Sequence, residues 1–140
     1  MIILDTDVLT IIQRGTSPAF DRLASRLESV DDEVAVSLIS FEEQMRGWLA
    51  FIARARSTTE EIRAYDKLRA LLDDFSARPV LDYDPICAGE FESPVRSKVR
   101  IGTMDLKIAA SAIANDALLL TRNLRDFRKV PSLRVEDWTV

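Results

Sequence analysis

Apolar residues recur along this chain in two alternating patterns. Short continuous runs at Ile2-Ile3-Leu4, Val34-Ala35-Val36 and Leu118-Leu119-Leu120 read as strands buried on both faces. Between them the apolar positions fall at helical spacing: Phe20, Leu23 and Leu27; then Phe41, Met45, Trp48, Leu49 and Ile52; then Ile62, Tyr65, Leu68, Leu72 and Phe75. The first strand predicts residues 2–5, followed by a helical turn from Thr6 to Gln13 that Gly15 closes, and a helix from Ser17 to Ser29. A second strand covers 34–37, and a long helix runs from Ser40 to Arg56, where Ser40 and Glu43 fit a capping box. Another helix begins at Thr59, and its five apolar positions predict its buried face. A short strand follows at Arg78–Leu81. Asp84-Pro85 then marks a helix start, with an Asp cap and Pro at the first helical position. The basic segment Pro94–Thr103 reads as loop or frayed helix, and an alanine-rich helix covers 103–115. A strand at 117–120, a helical turn at 124–127 and a last strand at 133–135 complete the series.

Strands alternating with helices predict a three-layer α/β/α sandwich around a mostly parallel sheet. With no repeat, linker or low-complexity tract, residues 1–140 are expected to form a single domain. No apolar run approaches the ~18 residues that span a bilayer, and Asp5 and Asp7 interrupt what would be a leader. Cys87 is the single cysteine and has no intrachain partner, which suits a reducing cytoplasm.

Charge adds a bias. The formal net charge is −4, yet residues 1–95 carry 10 Lys and Arg against 18 Asp and Glu, and residues 96–140 carry 9 against 5. Such a chain is a poor non-specific ligand for phosphates as a whole. A local basic surface beside an acidic pocket can still grip a phosphate backbone; solvated helix faces would give the same count.

The candidate chemistry is carboxylate chemistry, because the chain has no histidine. In open α/β sheets, ligands bind beyond the carboxyl ends of the strands. Asp5 ends the first strand, with Asp7 close behind; Glu42 and Glu43 open the helix after the second; Asp105 opens the alanine-rich helix; Asn123 follows Thr121 at the end of the fourth strand, with Asp126 one turn on. Acids gathered at one sheet edge repel one another, and a divalent cation of the hard Mg²⁺ or Mn²⁺ type neutralises them. Each acid also has a plain structural role open to it: a cap at Asp5 and Ser40–Glu43, a first-turn acid at Asp105, a surface ion pair at Asp126.

The segments Ile3-Leu4-Asp5-Thr6-Asp7-Val8-Leu9, Ile39-Ser40-Phe41-Glu42-Glu43-Gln44-Met45-Arg46-Gly47, Ile101-Gly102-Thr103-Met104-Asp105-Leu106-Lys107-Ile108-Ala109-Ala110 and Leu118–Phe127 with Val135-Glu136-Asp137-Trp138 occur in this order. In them the chain resembles the PIN-domain ribonucleases, and among those the VapC-type toxins of bacterial toxin–antitoxin pairs. The second motif, an acid four residues before a glycine, selects Glu43 over Glu42. Asp7 stands where the family more often has Asn or Ser, and Asn123 where some members have Asp. The resemblance covers most of the chain but offers no motif over Thr59–Val99.

The resemblance implies metal-dependent endonucleolytic cleavage of RNA by water, leaving 5′-phosphate and 3′-hydroxyl ends. Asp5, Glu43 and Asp105 would bind Mg²⁺ or Mn²⁺, with Asn123 completing the catalytic set and Asp7, Thr121 and Asp126 in support. Arg96, Lys98, Arg100, Arg122, Arg125, Arg128 and Lys129 are the candidates for holding RNA, with tRNA or rRNA as the expected substrate class. A VapB-type antitoxin is the implied partner, seated in an apolar groove that Trp48-Leu49-Ala50-Phe51-Ile52 would wall, and a homodimer is the implied assembly. Three other readings compete. One is a PIN nuclease of RNA maturation outside toxin–antitoxin biology. Another is a catalytically weak PIN scaffold that binds RNA or protein. The third is a haloacid-dehalogenase-like phosphatase with Asp5 as nucleophile, Asp7 as acid and Thr121 on the phosphate. That last fold needs paired acids after a later strand, and Asp73-Asp74 lies upstream of Thr121 inside a helical pattern.

Overall fold

The computed structural model of the protein describes residues 1–140, with the side chains of all but Pro94 and Ser97. In chain order the elements are β1 (Ile2–Leu4), α1 (Thr6–Arg14), α2 (Pro18–Glu28), β2 (Val34–Ser37), α3 (Leu38–Arg54), α4 (Thr58–Ser76), β3 (Val80–Leu81), α5 (Pro85–Glu92), α6 (Pro94–Ser97), α7 (Thr103–Ala114), β4 (Leu118–Leu120), α8 (Leu124–Phe127) and β5 (Arg134–Glu136). The strands form one parallel sheet in the order β3-β2-β1-β4-β5, with helices on both faces. The expected α/β/α sandwich is thus borne out, and every strand pair is parallel.

The apolar runs are continuous because both faces of the sheet are covered. Successive side chains on a strand point to opposite faces. Ile2, Leu4, Val36 and Leu120 pack with Val8, Leu9, Leu23, Leu71 and Phe75 from α1, α2 and α4. Ile3 and Leu119 pack with Leu106, Ile108, Ala109 and Ala112 of α7 and with Phe127. The alanines let α7 approach the sheet closely, which accounts for its alanine-rich composition.

Helix ends follow local chemistry. Gly15 closes α1 with φ +69°, a left-handed conformation that other residues adopt only with strain. Asp84 caps α5 by accepting from the Cys87 amide at 2.9 Å, with Pro85 at its first position. The segment after α5 forms the single turn α6, then loop. Among the described residues no helix is long and apolar enough to cross a membrane.

Two expectations are corrected. The long helix begins at Leu38, not Ser40, because the Ser37 hydroxyl accepts from the Ile39 amide and caps it. Ser40 and Glu43 therefore form no capping box, and both side chains are free for other partners. The buried face of α4 is also rotated from the one predicted. Ala64, Leu71 and Phe75 are buried, whereas Ile62, Tyr65 and Leu72 are exposed. The α4 helix packs chiefly against α3 rather than lying flat on the sheet. Its apolar stripe is wider than the surface available to cover it.

Candidate active site

The register of the sheet brings the first acid to its place. Leu4 pairs with Leu120, so the next residues, Asp5 and Thr121, are neighbours at the carboxyl edge. The Asp5 amide continues the ladder to the Leu120 carbonyl, and the Thr121 amide continues it to Glu136. The Thr121 hydroxyl then donates to Asp5 Oδ2 at 2.7 Å, and the Thr6 amide donates to Oδ1 at 2.8 Å. Both oxygens of a carboxylate that is only 5% exposed are fixed in this way.

Around Asp5 the neighbouring elements deliver the other groups. The β2 strand, paired with β1 on its other side, runs directly into α3, and Glu43 on the first turns of α3 reaches back to the Thr6 hydroxyl at 2.9 Å. Glu42 instead pairs with Arg46 on the surface, so Glu43 is the inward acid, as the motif register requires. Asp7, in the first turn of α1, accepts from the Arg122 amide through Oδ2 at 3.1 Å. Its Oδ1 is buried and has no hydrogen-bond partner among the described residues. Because α7 leads into β4 and runs antiparallel to it, the N-terminus of α7 lies at the same edge and carries Asp105 there. The starts of α1, α3, α7 and α8 all face this edge, and their dipoles partly offset the acids.

The acids sense one another. Burial first, then the neighbouring Asp7 and more weakly Asp105, push the Asp5 carboxyl up to about 8, against the opposing pull of Thr121 and Thr6. Burial also raises Asp7, against the opposing pull of the Arg122 amide. Burial raises Glu43, with Asp105, Glu42 and Asp7 adding repulsion. Burial, Asp126 and Asp7 raise Asp105. Four carboxyl groups from three elements therefore lie in one field. Among the described residues no three acidic or thiol side chains stand at the spacing of a closed ion-binding set. Asp5, Glu43 and Asp105 share a field without yet sharing one ion-sized gap.

The remaining candidates fall into place around this group. Asn123 caps α8 by accepting from the Asp126 amide through Oδ1 at 3.4 Å; its side-chain nitrogen donates to Asp126 Oδ2 at 3.0 Å, and its backbone N–H donates to Thr121 Oγ1 at 3.0 Å. Asp126 is held by Asn123 and Lys129, which lower its pKa. It is thus an ion-paired acid at the rim, near enough to Asp105 to repel it. Lys98, Arg100, Arg122, Arg125 and Arg128 are exposed. Arg96 is turned inward, its side chain 11% exposed and paired with Glu90 at 3.4 Å, which leaves it poorly placed to hold RNA. The paired acids that a phosphatase would need are absent from this edge: Asp73 and Asp74 lie on α4, paired with Arg69 and Arg78.

Sequence reasoning missed Thr6. A threonine between two aspartates carries no periodic signal. Its importance depends on α3, whose Ser40 and Glu43 are 34 and 37 residues away.

Away from the acids, a groove of about 670 Å³ opens between α1, α3 and α4. Trp48, Phe51 and Leu71 line it, with Arg14, Arg54 and Lys67 around them. Trp48 is half-buried against the core while also walling this groove, and Leu49 points to solvent.

Comparison with known proteins gives a consistent result. The family model described as PIN domain matches residues 2–133. Ribonuclease VapC2 of Rickettsia felis is 28% identical over 139 residues, covering 96% of each chain. The tRNA(fMet)-specific endonuclease VapC of Salmonella typhimurium is 33% identical over 84 residues, covering 56% of this chain and 64% of that one. Among solved structures, that of VapBC2 from Rickettsia felis bound to a DNA fragment from its promoter superimposes with a TM-score of 0.70 at 26% identity, covering 99% of each chain.

Proposed function

The chain belongs to the PIN domain family, and we propose that it is a metal-dependent endoribonuclease, the toxin of a VapBC-type toxin–antitoxin pair. Its relatives are named ribonucleases and endonucleases, and its structural relatives are VapBC complexes, which supports a nuclease with a VapB-type partner. The observation that carries the reading is the buried edge where Asp5, Asp7, Glu43 and Asp105 repel one another while Asp7 Oδ1 has no partner. A buried, unpaired carboxylate oxygen is costly unless a cation or a proton answers it.

The oxygen donors gathered here, with the partnerless Asp7 Oδ1, suit a hard divalent ion in chemistry, and the side chains would have to close on it from their present spacing. Asp5, Glu43 and Asp105 would hold it with Asp7, all through oxygen, which suits Mg²⁺ or Mn²⁺. Such an ion, when bound, lowers the pKa of water and offsets charge on a phosphodiester. The chain's own residues prepare the rest. Thr121 and the Thr6 amide fix both Asp5 oxygens, so the carboxylate needs no reorganisation. The proton that burial and Asp7 favour on Asp5 must leave before this acid acts as a charged ligand, so binding at this edge strengthens as pH rises. Asn123 braces Thr121 and turns the chain into α8, which carries Arg125 next to the rim acid Asp126. Lys98, Arg100, Arg122, Arg125 and Arg128 would hold backbone phosphates, fixing the register of the RNA rather than reading its sequence.

A tRNA or rRNA is the substrate we propose. For the antitoxin we propose the groove between α1, α3 and α4, where Trp48 and Phe51 offer apolar walls and Arg14, Arg54 and Lys67 offer charge. Self-association into a homodimer is supported by the apolar residues that α4 leaves exposed, Ile62, Tyr65 and Leu72.

The test is incubation of total tRNA and rRNA with the antitoxin-free protein and Mg²⁺ or Mn²⁺, beside an EDTA control and Asp105→Asn. Discrete fragments that require both metal and Asp105 are expected. Cleavage that survives EDTA or the Asp105 substitution would overturn the reading.

A further inference from the structure

Thr6 occupies an unusual position between the acids. Its amide holds Asp5 Oδ1, and its hydroxyl lies 2.9 Å from Glu43 Oε1 and 2.9 Å from Ser40 Oγ. A threonine hydroxyl has one proton. A carboxylate can only accept, so that proton goes to Glu43, and the Thr6 oxygen is left to accept from Ser40. Ser40 is fully buried, and among the described residues its hydroxyl has no other partner. The three groups thus form a directed chain, Ser40 to Thr6 to Glu43, in which each bond polarises the next. Glu43 Oε2 accepts no hydrogen bond among the described residues. One oxygen is held and the other is available.

We infer that Thr6 and Ser40 are positioning residues that lock the Glu43 carboxylate against the end of the first strand and leave its second oxygen for a divalent cation. The inference rests on the metal-site reading above. Without the lock, Glu43 is a long side chain on a helix surface with several rotamers, and ordering it would oppose ion binding. Thr6 touches Asp5 through the backbone and Glu43 through the side chain, so it also fixes the distance between acids from two elements. The same α1–α3 seam continues away from the site, where Gln44 donates to Thr10 at 3.3 Å and to Gln13 at 2.7 Å. Those bonds hold the helices together when the Thr6 hydroxyl is removed.

The experiment is Mn²⁺ titration by calorimetry on wild type, Asp105→Asn, Thr6→Val, Thr6→Ser, Glu43→Gln and the Thr6→Val/Glu43→Gln double variant, with folding checked by urea denaturation. Thr6→Val keeps shape and backbone and deletes the hydroxyl, and binding is expected to weaken about 10-fold. Thr6→Ser is expected to restore it. In the Glu43→Gln background the Thr6→Val change should add nothing, because its effect passes through Glu43. Equal binding by wild type and Thr6→Val, absence of rescue by serine, or full additivity with Glu43→Gln would overturn the inference while leaving the metal site in place. Failure of wild type to bind Mn²⁺, or unchanged binding by Asp105→Asn, would overturn the metal site and the inference with it. Should Thr6→Val not fold, Ser40→Ala takes its place: weaker binding supports the relay and unchanged binding refutes it.

Discussion

Replacing Asp5 by Asn should make the metal-free protein more stable, increasingly so as pH rises. The Asp5 carboxyl is held up to about 8 in the folded protein, by burial first and then by Asp7. In the unfolded chain it titrates near ~3.9. Between these values the folded state keeps a proton that the unfolded state has lost. Folding therefore takes up one proton, and stability falls as pH rises, until the folded group also ionises around the upper value. One proton is worth ~1.4 kcal/mol per pH unit, so wild type loses ~2.7 kcal/mol between pH 5 and pH 7 from this group. Asn cannot ionise and loses none of it.

The local geometry tolerates the change. The Asn oxygen can keep the bond from the Thr6 amide. Its amide nitrogen faces Thr121, whose hydroxyl can accept instead of donate. Urea denaturation in EDTA at pH 5, 6 and 7 measures the effect. The stability gap between Asp5→Asn and wild type should widen by ~2.7 kcal/mol across that range. Parallel pH profiles, or a variant that is less stable at pH 7, would refute the view that this edge is under carboxylate strain. Saturating Mn²⁺ should reverse the order. Wild type gains ~2.7 kcal/mol at a hundredfold excess over Kd, and the variant gains little.

Two further outcomes are expected. Leu119→Ala empties a fully buried position between β4 and α7, which should cost ~3 kcal/mol in urea denaturation with an unchanged m-value. Arg125→Gln should weaken binding of a catalytically inert Asp105→Asn protein to tRNA and lower the salt slope by about one unit, measured by fluorescence anisotropy from low to moderate salt.

The sheet and most of the polar residues gathered at its carboxyl edge were legible because their signals are local. Uninterrupted apolar triplets mark β1 and β4, and acids directly beyond strands mark the carboxyl edge. Gly15 and Asp84-Pro85 announce helix ends by backbone preference alone. The start of α3 differs from the sequence reading because two serines three residues apart are both good caps, and the structure uses Ser37, the last residue of β2, with no intervening loop. The face of α4 was misread because its apolar stripe is broader than the side it buries, and only the placement of α3 chooses among Ala64, Leu72 and Phe75. Thr6 was invisible for the same reason on a smaller scale: its partners come from an element that the fold, not the local sequence, sets beside it.

The middle of the sheet is built from opposite ends of the chain. Residues 2–4 lie between β2 and β4, and the bond that fixes Asp5 comes from a threonine 116 positions later. Such pairing is of high contact order, and its loop-closure entropy is met only near the end of folding. During synthesis the first strand must wait for almost the whole chain before its second neighbour arrives. A ribosome-bound fragment thus carries Asp5, Asp7 and Glu43 without Asp105, Thr121 or the closing strand. The topology keeps this acidic edge unassembled until residues 118–121 have emerged to join residues 2–5.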